Sequence, residues 1–128
     1  MKLLDTSAWV EYFKGSDRGE FVKKELLKKA ATSAITLAEI SQWIAKNKGD
    51  VPFAVKQIKD NSTIVQLEED ILVESGKLYE QLRSTRNKIS LIDCIIYTTA
   101  RIHMLPLLTS DTDFYGLPLV EMLHQNKE

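Results

Sequence analysis

Lys2-Leu3-Leu4-Asp5-Thr6-Ser7 decides how the rest of the chain is read. Residues 2–4 make a short, largely apolar strand, and Thr6-Ser7, residue types suited to capping a helix, follow at once. The helix they open carries Trp9, Val10 and Phe13, and Gly15 is a natural stop. Strand passing directly into helix then recurs along the sequence. A helix over residues 19–29 sets Phe21, Val22, Leu26 and Leu27 on one side and Lys23, Lys24 and Lys28 on the other. Residues 31–35 are small and apolar, long enough only for a strand. Thr36 then opens a helix with Leu37, Ile40 and Ile44 inward, ending at residues 47–49. Pro52 suits a first helical turn, and a short helix runs to about Asp60. Thr63-Ile64-Val65, mostly β-branched, reads as a third strand.

Residues 68–86 hold the cleanest helical period in the chain, with Ile71, Leu72, Ser75, Leu78, Tyr79 and Leu82 on one face. After a basic connection, Ser90 starts a helix that is apolar almost all round, as a buried helix is. Residues 105–108 lead into a fourth strand ending in Thr109-Ser110-Asp111, and a last strand lies near residues 119–121. Strands separated by helices give a parallel sheet covered on both faces, the doubly wound α/β plan. In that plan ligands bind in the crevice at the carboxyl ends of the strands.

The composition agrees with one folded domain over residues 1–128: 44% hydrophobic, 27% charged, and too little glycine and proline for a fibrous or Pro-rich design. Seventeen basic against 18 acidic residues leave a net charge of −1. Global attraction to nucleic acid or to an anionic membrane is thereby excluded, so such a partner needs a local patch or a bound cation. A single cysteine, Cys94, fits a reducing compartment. The N-terminus lacks a signal-peptide apolar stretch and no apolar run approaches the ~20 residues that span a bilayer. The expectation is a cytoplasmic protein without membrane contact.

Acids gather where the α/β plan puts ligands. Asp5 follows strand one, Glu39 lies just after strand two, Asp93 opens the buried helix, and Asp111 and Asp113 follow strand four. Each has an ordinary alternative. Thr36-x-x-Glu39 and Ser90-x-x-Asp93 match the capping box, and Asp5, Asp111 and Asp113 suit turns. Asp93 is harder to explain so, because its helix neighbours are apolar and positions i±3 and i±4 hold no Lys or Arg. A buried charge needs a partner. Taken as a set, acids about 4 Å apart repel by about 4 kcal/mol per pair at an effective dielectric of about 20. A hard divalent cation reverses that sign. His103, His124 and Cys94 are too few for zinc, so a carboxylate site points to Mg²⁺ or Mn²⁺ and to phosphate chemistry.

These residues carry a resemblance. Residues 3–7 resemble the opening of PIN-domain nucleases, and residues 33–40, 93–100 and 108–114 resemble the second, third and fourth acidic motifs of that family. Order, spacing and length are similar to those of VapC-type toxins, the ribonuclease halves of toxin–antitoxin pairs. The resemblance implies a PIN-like three-layer α/β/α sandwich with a short, mainly parallel sheet of four or five strands. It implies a metal-dependent endoribonuclease in which Asp5, Glu39, Asp93 and Asp111 form the acidic quartet and Asp113 is auxiliary. Thr6 and Thr109 match hydroxyls that orient the carboxylates or bound waters. Relatives have Asn and a more distant Asp in the fourth motif, whereas Asp111 and Asp113 stand two apart here. An antitoxin partner, received in a groove between the first helices, and a homodimer are implied likewise.

An RNA substrate needs positive charge beyond the metal, and Arg83, Arg86 and Lys88, just ahead of the Asp93 helix, are the candidates for phosphate contacts. Trp9 and Phe13, four apart on the first helix, read first as core. Two rival readings stand beside the nuclease: a non-catalytic PIN-fold interaction module, and an aspartyl-phosphate phosphatase or receiver-like domain. The phosphatase pattern wants a second acid two residues after Asp5, where Ser7 stands.

Overall fold

The computed structural model describes residues 1–123, and His124 lies outside them. The elements are β1 (Lys2–Leu4), α1 (Thr6–Lys14), α2 (Asp17–Leu26), β2 (Ala30–Ser33), α3 (Ala34–Lys46) and α4 (Val51–Asn61). They continue as β3 (Thr63–Val65), α5 (Glu69–Leu82), α6 (Leu91–Ile102), β4 (Leu107–Thr109), a 3₁₀ turn (Thr112–Phe114) and β5 (Val120–Met122). All neighbouring strands pair in parallel, in the order β3-β2-β1-β4-β5.

That order fixes where a ligand crevice lies. From β1 the chain builds outward to β2 and β3 on one side, then returns to lay β4 and β5 on the other. The direction of winding switches between β1 and β4, and loops leaving the carboxyl ends of those two strands diverge there. Leu3 and Leu4 pair with Leu107 and Leu108 across this seam.

Strand alternation assigns the layers. Leu4 and Leu108 join Ala8, Trp9, Val22, Ile40 and Ile58 in a core between the sheet and α1–α4. Leu3 and Leu107 join Ile96, Tyr97, Ala100 and Phe114 in a second core on the face covered by α6. Successive side chains of a strand point to opposite faces, so two adjacent leucines in β1 serve two cores. Each such burial contributes about 1.5–3 kcal/mol. The expected three layers and five strands are present.

Helix starts moved where capping chemistry was stronger than the pattern suggested. Asp5, rather than Thr6 or Ser7, is the N-cap of α1, its side chain accepting from the Ser7 amide. β2 ends at Ser33, which caps α3, so the helix opens two residues before Thr36. Gly15 does end α1, in a left-handed conformation at φ 68. In α2 half of the expected apolar side holds, with Val22 buried and Leu26 packed against the core. Phe21 is 42% and Leu27 88% exposed, while Gly19, Val22 and Glu25 face inward. Gly19 lies so near α1 that a Cβ there would sit 2.2 Å from the Glu11 carbonyl oxygen. Glu25 can face inward because Lys2 of β1 reaches it at 3.2 Å. Helix α5 stops at Leu82, short of Arg86, and leaves Leu72 exposed. The apolar helix α6 is buried from Cys94 to Ala100 apart from the half-buried Ile95, with Leu91 and Ile102 exposed at its ends. Among the described residues no helix is long and apolar enough to cross a membrane.

Candidate active site

The carboxyl edge of β1 and β4 collects the acids. Asp5 leaves β1 as the cap of α1, and its backbone N–H donates to Leu108 O at 2.9 Å, continuing the β1–β4 pairing. Thr109, the last residue of β4, donates its hydroxyl to Asp5 Oδ2 at 2.8 Å, and Ser7 donates to the same oxygen at 2.7 Å. The two hydroxyls also accept from the loop beyond β4: Ser110 N–H donates to Ser7 Oγ at 3.0 Å, and Asp111 N–H to Thr109 Oγ1 at 2.9 Å. Asp111 then caps the 3₁₀ turn by accepting from Asp113 N–H at 2.9 Å.

Glu39 arrives from the second turn of α3. Thr6 donates to its Oε1 at 2.5 Å, and Thr36 lies 3.0 Å from the Thr6 oxygen. Since the Thr6 proton goes to Glu39, Thr36 is the donor of the second bond. The Thr36–Glu39 capping box is therefore absent, because Ser33 caps the helix and Thr36 turns toward α1. The Ser90–Asp93 capping box, by contrast, is complete: Asp93 N–H donates to Ser90 Oγ at 3.0 Å and Ser90 N–H to Asp93 Oδ2 at 2.9 Å.

Capping and ligation prove compatible. Asp5, Glu39, Asp93 and Asp111 each hold one carboxylate oxygen in a bond to the protein, while the other accepts none from the described residues. A carboxylate fixed through one oxygen presents the second with its orientation set, which is how ligating carboxylates are supported around metals. One oxygen each of Asp93, Asp111 and Asp113 lies within 4.8 Å of the others, a spacing that a single ion can bridge. Asp5 and Glu39 are coupled to this trio through the fields of Asp93 and Asp111.

The site is electrostatically unbalanced. Among the described residues no Lys, Arg or His nitrogen lies within 4.0 Å of a carboxylate oxygen of any of the five acids. Burial pushes the Asp5 carboxyl up to about 6, against the stabilising Ser7 and Thr109 hydroxyls and with a further push from Asp93 and Asp111. Burial also raises Glu39, with Thr6 opposing, and Asp93, with the Ser90 bonds opposing. Asp111 is raised by burial and by the negative charges of Asp113 and Asp93, against the Asp113 amide that it accepts from. Carboxylates about 5 Å apart repel by about 3 kcal/mol per pair at an effective dielectric of about 20. The donor set is all oxygen, anionic and partly open, which fits a hard divalent cation.

The chain belongs to the PIN-domain family. Its family model, described as PIN domain, matches residues 2–118. The domain is 31% identical over 109 residues to Ribonuclease VapC1 of Methanocaldococcus jannaschii, covering 85% of this chain and 74% of that protein. A toxin–antitoxin complex from Klebsiella pneumoniae contains a chain of the same fold, with TM-score 0.78, 27% identity, and coverage of 98% and 100% of the two chains. VapBC2 from Rickettsia felis, bound to a DNA fragment from its promoter, shares the fold at TM-score 0.78 and 22% identity over 96% and 98% of the chains.

Within this PIN domain the remaining expected residues separate. Arg83 is exposed and pairs with Glu80 at 3.2 Å, and Lys88 is exposed. Arg86 is half-buried and donates from Nη1 to the Asp113 carbonyl at 2.9 Å. Cys94 is buried in the core, with its thiol pushed up to about 11 by burial and by Asp93, an inert state. Trp9 is fully buried and donates to Thr32 Oγ1 at 3.0 Å, the core role expected of it. Ser7 and Thr36 are the site residues that the sequence reading missed. Ser7 stands two residues after Asp5 and Thr36 three before Glu39, spacings that read first as helix capping.

Proposed function

We propose that this PIN domain is a divalent-metal-dependent endoribonuclease, the toxin component of a type II toxin–antitoxin pair. One observation carries the reading: Asp93, Asp111 and Asp113 bring carboxylate oxygens within 4.8 Å of one another, Asp5 and Glu39 add to their field, and among the described residues no Lys, Arg or His nitrogen lies within 4.0 Å of these carboxylates. Asp93, Asp111 and Asp113 would hold Mg²⁺ or Mn²⁺, with Asp5 and Glu39 completing the anionic wall. The cation would supply Lewis-acid neutralisation of the phosphodiester and activation of water. The chain's own part is placement. Ser7 and Thr109 hold Asp5, Thr6 holds Glu39 and Ser90 holds Asp93 in position before substrate arrives, so little reorganisation remains.

Arg83 and Lys88, exposed on the α5–α6 connection, are proposed phosphate contacts for RNA. A cognate antitoxin, a homodimer and a cytoplasmic location complete the reading, which similarity to VapC1 and to the Klebsiella complex supports. The test is cleavage of single-stranded RNA by the purified chain in Mg²⁺ or Mn²⁺, with EDTA and D93N as controls. Cleavage that needs the ion and Asp93 is expected; equal cleavage by D93N would reject the assignment.

A further inference from the structure

We infer that Arg86 is a positioning residue of the cation site, holding the backbone of Asp113 so that its carboxylate meets those of Asp93 and Asp111. The inference rests on the metal reading above. Asp111 and Asp113 sit on a three-residue 3₁₀ turn, an element too short to hold itself rigid. Its entry is tied by Ser110 N–H to Ser7 and Asp111 N–H to Thr109, whereas the Asp113 N–H to Asp111 bond moves with the turn. Beyond that entry, two anchors hold the Asp113 end. Phe114 is buried in the core beneath, and the Arg86 guanidinium donates to the Asp113 carbonyl across 27 residues of chain.

Arg86 is itself well seated for this. Its N–H donates to Leu82 O at 2.8 Å and its carbonyl accepts from Ile89 N–H at 3.0 Å, with Ile89 buried. The backbone on both sides of Arg86 is thus tied to α5 and to the core, and a fixed base lets a long side chain set a distance. Further along the same loop, Tyr97 of α6 donates to Pro118 O at 2.8 Å and is braced by Arg101 at 3.0 Å. The segment between β4 and β5 is pinned from α5–α6 at two carbonyls.

The choice of acceptor matters. Among the described residues no carboxylate oxygen lies within 4.0 Å of an Arg86 nitrogen, unlike Arg83, which pairs with Glu80. A guanidinium bound to Asp113 Oδ would occupy a ligand oxygen and neutralise the charge that attracts the cation. Bound to the carbonyl, it fixes the residue and leaves both carboxylate oxygens free.

The test is Mn²⁺ binding to metal-stripped full-length chain by titration calorimetry, with RNA absent. Arg86→Ala is expected to weaken Mn²⁺ about 10–100-fold, the usual cost of losing a group that orients a ligand. Arg86→Lys, which can still donate but lacks the planar fork, should fall between. In an Asp113→Asn background, Arg86→Ala should cost little more, since both act through one ligand. Binding by either Arg86 variant within twofold of wild type overturns the inference, and so does full additivity with Asp113→Asn. If Arg86 instead served RNA, Arg86→Ala would leave Mn²⁺ affinity intact and weaken a labelled single-stranded RNA in EDTA, which also overturns it. Wild-type chain that takes up no Mn²⁺ removes the metal reading and this inference together, whereas wild-type binding with unchanged Arg86 variants removes this inference alone.

Discussion

Two buried acids at opposite ends of the same sheet are treated in opposite ways. Glu25, at the amino edge, is 6% exposed and lies between Lys2 at 3.2 Å and Lys28 at 3.6 Å, with Lys2 reaching on to Glu121 of β5 at 2.8 Å. Asp5, at the carboxyl edge, is 3% exposed and among the described residues has only hydroxyls and an amide as partners. Hydrogen bonds satisfy lone pairs without cancelling charge, so the first site is complete and the second is not. The Glu121 carboxylate bonded to Lys2 raises the lysine above its usual range, whereas burial raises Asp5 above its own. The proposed cation would do at the carboxyl edge what Lys2 and Lys28 do for Glu25.

The largest expected effect comes from removing charge at the unbalanced edge. D5N and D93N should each lower metal-dependent RNA cleavage by about 100-fold or more, read as initial rates. D5N should nevertheless melt above wild type at pH 7.5 in EDTA, by up to about 3 kcal/mol, because the strain of the buried charge is gone. A D5N that melts below wild type there would break the contrast between the two edges.

The second effect is in pH. A carboxyl whose folded pKa is about 6, against 3.8 unfolded, binds protons more tightly when folded. Its contribution to stability is therefore full below the unfolded value and is lost as pH rises through the folded one. The stability of wild type relative to D5N in EDTA should fall between about pH 4 and pH 7. Mg²⁺ or Mn²⁺ should restore it, with a larger thermal shift at pH 7.5 than at pH 5. A metal-induced shift that is equal at both values would contradict this.

Smaller changes come from the supports. Ser7→Ala and Thr109→Ala each remove a bond that lowers the Asp5 pKa, so each should move the acidic limb of the cleavage profile upward and cost about 10-fold at neutral pH. At the paired edge, Glu25→Gln should lower stability by about 1–3 kcal/mol, seen in denaturant melts, and leave the cleavage profile unchanged. An altered profile in Glu25→Gln would mean that the two edges are not independent.

Much of this was legible in the sequence because α/β folds bring the ends of strands together. Once Lys2–Leu4, Ala30–Ser33 and Leu107–Thr109 are strands, Asp5, Glu39 and Asp111 have one common neighbourhood available. Asp93 was recognisable as an acid opening an apolar helix. What escaped depended on contacts between distant elements. Phe21 and Leu27 were expected inside α2, but the inward face is set by the close approach of Gly19 to α1 and by the Lys2–Glu25 pair. No periodicity within a helix reports a lysine on another strand. Ser7 and Thr36 escaped because a hydroxyl after a strand looks the same whether it caps a helix or holds a carboxylate. Arg86 was visible as a charge, but its acceptor is a backbone carbonyl, which every residue has.

The pairing of β1 with β4 sets an order of events for the newborn chain. Asp5 precedes β2, β3, β4 and β5, yet Thr109, which fixes it, is separated from it by 104 positions and follows every other strand but one. Until that late segment docks, β1 has only β2 beside it and the acids lack their common wall. A carboxyl edge built on this seam therefore exists only once segments far apart in the sequence have met.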